Sequence, residues 1–132
     1  MSSSVKQIMQ TSSQLLMPGD VASGGYELGP GKGRGFDSVQ VFVSPSIKYA
    51  GLDRYAEQIR FNDKHDGKTY TARVAFQVCV RPSSYQVMQE TLGFTRRGET
   101  VDPLFSNEEL EWYTKERGVH ALYGLLVKLE PC

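Results

Sequence analysis

Apolar and polar positions alternate most strictly between residues 70 and 80. Tyr70, Ala72, Val74, Phe76, Val78 and Val80 fall on one side at period two, with Arg73, Gln77 and Cys79 on the other. This spacing predicts a long strand with one face on the core, and Pro82 ends it. The run Asn62-Asp63-Lys64-His65-Asp66-Gly67-Lys68 predicts a turn that leads into it from an earlier strand. Residues 39–43 alternate enough for a short strand. Residues 109–113 and 122–129 predict two more, joined by a turn near Gly118.

Helical spacing occurs earlier. Val5, Ile8, Met9, Ser12, Leu15 and Leu16 share one face, and Pro18-Gly19-Asp20 stops that helix. Ser44 is placed as an N-cap with Pro45 at the first helical position. A short helix through Ile47, Ala50 and Tyr55 follows, weakened by Gly51. Early helices followed by strands predict an α+β domain: a largely antiparallel sheet, with short helices in the N-terminal half.

Composition narrows the class. The length of 132 residues suits a single domain spanning 1–132. With 39% hydrophobic and 23% charged residues, the chain reads as globular and not as a disordered tail. Fifteen basic residues balance fifteen acidic ones, which argues against a nucleic-acid partner. No apolar run approaches the ~20 residues of a membrane span, so no membrane partner is expected. Cys79 and Cys132 make no disulfide framework, and Met1-Ser2-Ser3-Ser4-Val5-Lys6 is no signal peptide. A cytoplasmic location with reduced thiols is the favoured expectation.

Candidate chemistry is sparse. The segment Gly29-Pro30-Gly31-Lys32-Gly33-Arg34-Gly35 offers backbone N–H groups and two cations to a phosphate. It matches neither a Walker loop nor a dinucleotide fingerprint, so a mobile surface loop is the favoured reading. His65 sits in a charged turn and reads as solvated; His120 reads as a satisfied, half-buried residue beside the last strand. Neither has a second ligand at metal spacing, and no metal site is expected. Cys79 reads as a small buried residue and not as a nucleophile. Glu108, Glu109 and Glu111 form an acidic cluster beside Trp112 and Tyr113. On a strand, Glu109 and Glu111 share one face and Leu110 and Trp112 the other. Two such carboxylates suit acid–base work or a sugar hydroxyl, and a solvent-facing acidic edge fits the spacing equally. Arg96-Arg97 near Glu99 reads as a charged loop.

Several phrases, in order, carry a resemblance. They are Leu15-Leu16-Met17-Pro18-Gly19-Asp20, then Val41-Phe42-Val43-Ser44-Pro45-Ser46-Ile47-Lys48-Tyr49-Ala50, then Asp53-Arg54-Tyr55-Ala56. Glu111-Trp112 and Tyr123-Gly124-Leu125-Leu126-Val127 close the series. Together they resemble the catalytic domains of poly(ADP-ribose) polymerases, in the ADP-ribosyltransferase superfamily. The resemblance implies that Val41-Phe42-Val43-Ser44 is the strand before the nicotinamide-binding helix. Phe42 then stands where that family usually has a stacking tyrosine, and Tyr55 is the second aromatic wall, with Tyr49 a further candidate. Ser44, at the strand's end, joins the implied ligand-binding positions.

Glu111 lies 12 residues ahead of Tyr123 and matches the family's catalytic glutamate, with Glu109 second. The implied cleft lies between Phe42, Tyr55, Glu111 and the Gly-rich loop carrying Lys32 and Arg34. Active members also use a histidine in a His-Gly-Ser/Thr motif just before the first helix. Here that motif would fall before Met1, and the chain contains no His-Gly. The chain is therefore either a piece cut after the motif, an N-terminally truncated domain, or a natural product lacking it. The expectation is a degenerate, non-catalytic binding module for a nucleotide or ADP-ribose, a glycan or a protein. No cofactor is required, with NAD a candidate ligand or substrate and a homo-oligomer a candidate assembly. The alternative is a mono-ADP-ribosyltransferase using NAD, with its histidine supplied from outside these residues.

Overall fold

In the computed structural model, residues 40–132 are described, together with Met17, Val21 and Gly25. The chain runs through β1 (Val41–Val43), one helical turn α1 (Ile47–Ala50), β2 (Ile59–Asn62) and β3 (Thr69–Val80). It continues through β4 (Gln86–Met88), β5 (Glu111–Thr114) and β6 (His120–Pro131). Short 3-10 turns at Thr95–Arg97 and Asn107–Glu109 lie between β4 and β5. Six strands form two three-stranded antiparallel sheets, β1-β5-β4 and β2-β3-β6. The expected antiparallel strands are present, but as two sheets and not one.

The β2–β3 hairpin follows from its turn chemistry. Asp63 accepts the His65 N–H at 2.9 Å and Asp66 the Lys68 N–H at 2.8 Å. Gly67 takes φ of +71°, which glycine adopts without a side-chain clash. β3 then pairs with β6 from Tyr70↔Pro131 to Val80↔His120. The register slips between Gln77 and Val78, leaving Tyr123 as the extra, bulged residue of β6. Next to it, a Cβ on Gly124 would meet the Gln77 side-chain Oε1 at 3.1 Å, so any larger residue there requires that side chain to shift.

The chain crosses between the two sheets through residues 44–58, 81–85 and 115–119, and in the last of these Gly118 takes φ of +74° and redirects it. Arg73 adds a side-chain tie. Its Nη1 donates to Gly51 C=O at 2.7 Å and its Nη2 pairs with Asp53, locking β3 to the segment after α1.

Burial departs from the expected pattern. Of the apolar row on β3 only Ala72 is buried; its neighbours are half-buried. Met17, Tyr49, Ala56, Leu110 and Val119 are the other buried apolar residues among those described. A strand's alternation fixes its faces without fixing what covers them. Cys79 is exposed, a correction to the buried reading, because it lies on the face opposite that row. His120 is also corrected. It is 3% exposed and neither ring nitrogen has a hydrogen-bond partner, so it is buried unsatisfied.

The N-cap of α1 is Ser46, not Ser44: Ser46 Oγ accepts the Tyr49 N–H at 3.1 Å. The helix stops at Ala50, and Tyr55 sits in a following turn closed by Ala56 N–H to Leu52 C=O at 2.9 Å. Glu109 lies in a 3-10 turn ahead of β5. The expected helix over residues 5–16, the Gly-rich stretch beyond Gly25 and position 39 lie outside the described residues. Among the described residues no helix is long and apolar enough to cross a membrane.

Candidate functional site

Four separate segments converge on one carboxylate. Glu111 opens β5, where β5 is the central strand of its sheet, flanked by β1 and β4. It is 6% exposed. Its Oε1 accepts Tyr49 Oη–H at 2.5 Å, Thr91 Oγ1–H at 2.7 Å and the Thr91 N–H at 3.1 Å. Tyr55 Oη stands 3.4 Å from the same oxygen and 3.3 Å from Tyr49 Oη. The Tyr49 proton is committed to the short bond with Glu111. Tyr55 is then the donor, its proton shared between the two acceptors.

Oε2 accepts no bond from any described residue. Among the described residues the buried polar side-chain atoms lacking a partner are the two nitrogens of His120. Oε1 of Glu111 is thus pinned from inside, while Oε2 takes no donor among the described residues.

Each supporting group has its own anchor. Tyr49 is 2% exposed, and its phenol is pushed well above its ordinary value by burial, then by the bonds with Glu111 and Tyr55. It therefore stays a donor throughout the physiological range. Ser46 caps α1 and donates its Oγ–H to buried Asp102 at 2.6 Å, tying the helix that carries Tyr49 to a distant loop. The Ser46 hydroxyl, followed by the Leu104 N–H, holds the Asp102 carboxyl below the usual range. Thr91 is set by buried Glu90, whose carboxylate accepts the Leu92 and Thr95 N–H groups at 2.8 Å each. Burial alone would raise the Glu90 carboxyl, but the N–H groups of Thr95, Phe94 and Leu92 outweigh it and hold it low.

The structure brings Tyr49, Tyr55 and Glu111 together. Phe42 lies opposite Tyr113, so it shares the face of β1-β5-β4 that carries Glu111. Its ring centroid is 6.0 Å from that of Tyr113, and it is 43% exposed, as Tyr55 is 50% exposed. Exposed aromatic surface thus stands on the sheet face that carries Glu111 and on the turn that carries Tyr55.

Ser44 is occupied locally, accepting the Ser46 N–H at 3.1 Å. Glu109 does not join the site. It is exposed, and its carbonyl accepts the Trp112 indole N–H at 2.9 Å. Trp112 in turn stacks on Tyr85 at 4.5 Å between centroids on the opposite face. Lys32 and Arg34 lie outside the described residues.

Sequence reasoning missed Thr91, Glu90, Ser46 and Asp102. Ser46 had a signal, three residues before Tyr49 in N-cap position; Thr91 had none. A broad, open depression of about 870 Å³ on the neighbouring sheet is lined by Ile47, Ala56, Arg73 and Leu126 and holds none of the predicted site residues. Among the described residues no cluster of three or more His, Cys, Asp or Glu is placed to hold a metal ion.

No protein-family model matches the chain, and no solved structure matches it.

Proposed function

We propose that the chain is an ADP-ribosyltransferase-like module that binds a ribose-bearing nucleotide, NAD or ADP-ribose, without turning it over. The observation that carries this reading is the Glu111 carboxylate, pinned through Oε1, with Oε2 accepting no bond from any described residue. A fixed carboxylate oxygen accepts a sugar hydroxyl without first having to be ordered. Exposed aromatic rings such as Phe42 and Tyr55 suit the flat base or the CH face of a sugar. The sequence motifs supply the ribose nucleotide as the candidate, and these 132 residues contain no His-Gly to act in turnover. A glycan presents similar hydroxyls and is the competing ligand.

A second reading is favoured by the same carboxylate. A negative charge fixed beside a ribose also stabilises the positive charge that develops as nicotinamide leaves. With a histidine supplied from elsewhere, the domain would be a mono-ADP-ribosyltransferase acting on NAD.

Thermal unfolding with and without millimolar NAD, on wild type and Glu111→Gln, tests the proposal. A ligand at ~100 times its dissociation constant adds about 2.7 kcal/mol, which raises the midpoint by several degrees in a domain this size. The expected result is such a shift in wild type, reduced in Glu111→Gln, with NAD recovered intact. NAD consumption abolished by Glu111→Gln would replace the binding reading with the enzyme. No shift with NAD or ADP-ribose would overturn both and move the site to a glycan or protein ligand.

A further inference from the structure

Among the described residues β6 is paired on one side only. β3 occupies one edge, and the other edge hydrogen-bonds to no described residue. The register tells which backbone groups face that open edge. Cys132 N–H donates to Thr69 C=O at 3.0 Å, so that opposed pair is of the hydrogen-bonded kind. Bonded and non-bonded pairs alternate along an antiparallel ladder. Ala72/Leu129, Val74/Val127 and Phe76/Leu125 are therefore non-bonded pairs, and the N–H and C=O groups of Leu125, Val127 and Leu129 point out of the sheet. The other side of β3 agrees: Lys68 C=O accepts the Asp63 N–H at 2.8 Å, so the even-numbered residues of β3 face β2.

Three outward donor–acceptor sets thus stand in a row. They are bounded by the bulge at Tyr123 and by Pro131, which has no N–H. One antiparallel register uses all three on both strands of a two-fold pair: Val127 opposite Val127, and Leu125 opposite Leu129. Centring instead on Leu129 or Lys128 sets a needed N–H against Pro131, and Lys128 also opposes its own charge. Centring on Leu125 or Leu126 runs into the bulge. In the favoured register the side chains apposed on the face of Val127 are apolar, with Val127 53% and Leu129 57% exposed, and on the other face Leu126 stands opposite Lys128. The Lys128 charge stays with its own Glu130 at 2.8 Å. The segment is its own complement, which is what a closed two-fold interface requires.

We propose that the chain dimerises with a second copy of itself through antiparallel β6–β6 pairing centred on Val127, joining two three-stranded sheets into one of six. Sedimentation equilibrium of the full chain, at concentrations up to about 0.5 mM, tests it. Wild type is expected at twice 14.8 kDa. Val127→Pro removes an N–H that the chain does not use internally, and is expected at 14.8 kDa at the same concentrations. Val127→Lys and Val127→Glu are each expected to be monomeric, and an equimolar mixture to recover the dimer as opposite charges meet on the axis. Circular dichroism checks that each variant is folded; if Val127→Pro is not, the charged pair decides. A wild type that stays at 14.8 kDa throughout, or a dimer that survives all three substitutions, overturns the proposal.

Discussion

Tyr49 and Glu111 are 62 positions apart in sequence and share the shortest hydrogen bond of the site. Hydrogen bonds to a charged partner contribute about 1.5–3 kcal/mol, so Tyr49→Phe is expected to lose about 2 kcal/mol in denaturant unfolding followed by Trp112 fluorescence. The pH dependence has a definite sign. Folding raises the Tyr49 phenol, so its contribution is complete below the unfolded value near 10 and is lost as pH rises above it. The alkaline fall in stability is expected to be shallower in Tyr49→Phe than in wild type.

His120 predicts the opposite sign of substitution. Its two ring nitrogens are buried without partners, and each such group costs about 1–3 kcal/mol. His120→Phe is therefore expected to raise the midpoint. At this scale Glu111, Tyr55 and Tyr49 were legible through short motifs. Thr91 was not, because a threonine in a loop carries no periodicity and reaches the site through contacts formed by Glu90.

Among elements, α1 shows how a local signal misleads. Ser44-Pro45 fits an N-cap with proline at the first position, yet Ser46 holds the cap because its hydroxyl also donates to buried Asp102. A contact 56 residues away decided between two adjacent serines. Ser46→Ala is expected to cost about 1–2 kcal/mol from the cap, measured by chemical denaturation, and to loosen Tyr49. Glu109 was misplaced for a similar reason: Ser106 Oγ accepts the Glu108 N–H at 3.3 Å and starts a 3-10 turn before β5 can begin. The loop of Glu90 responds to acid. Its lowered carboxyl contributes stability above the ordinary carboxylate range, and that contribution is lost as pH falls through its folded value. Glu90→Gln is expected to show a shallower loss of stability below about pH 4 than wild type.

For the whole molecule, β3, its hairpin turn and the antiparallel β6 were readable because alternation and turn residues are local. The division into two sheets was not. It depends on β5 pairing with β1 and β4 while the next strand joins β3, and no local pattern records that choice. β4, Gln86–Met88, escaped notice because it holds one β-branched residue, Val87, where β1 holds two.

In the proposed complex Oε2 of Glu111 accepts a ribose hydroxyl. Calorimetric titration of wild type and Glu111→Gln, with NAD and with an analogue lacking the nicotinamide-ribose hydroxyls, addresses it directly. Tyr49 and Thr91 hold the glutamine's carbonyl inward, which turns an NH₂ outward and removes the acceptor. Wild type is expected to bind NAD at least about tenfold more tightly than the analogue, an energy of about 1.4 kcal/mol, and Glu111→Gln is expected not to distinguish them. Equal affinity of wild type for the two, or no binding of either, would contradict it.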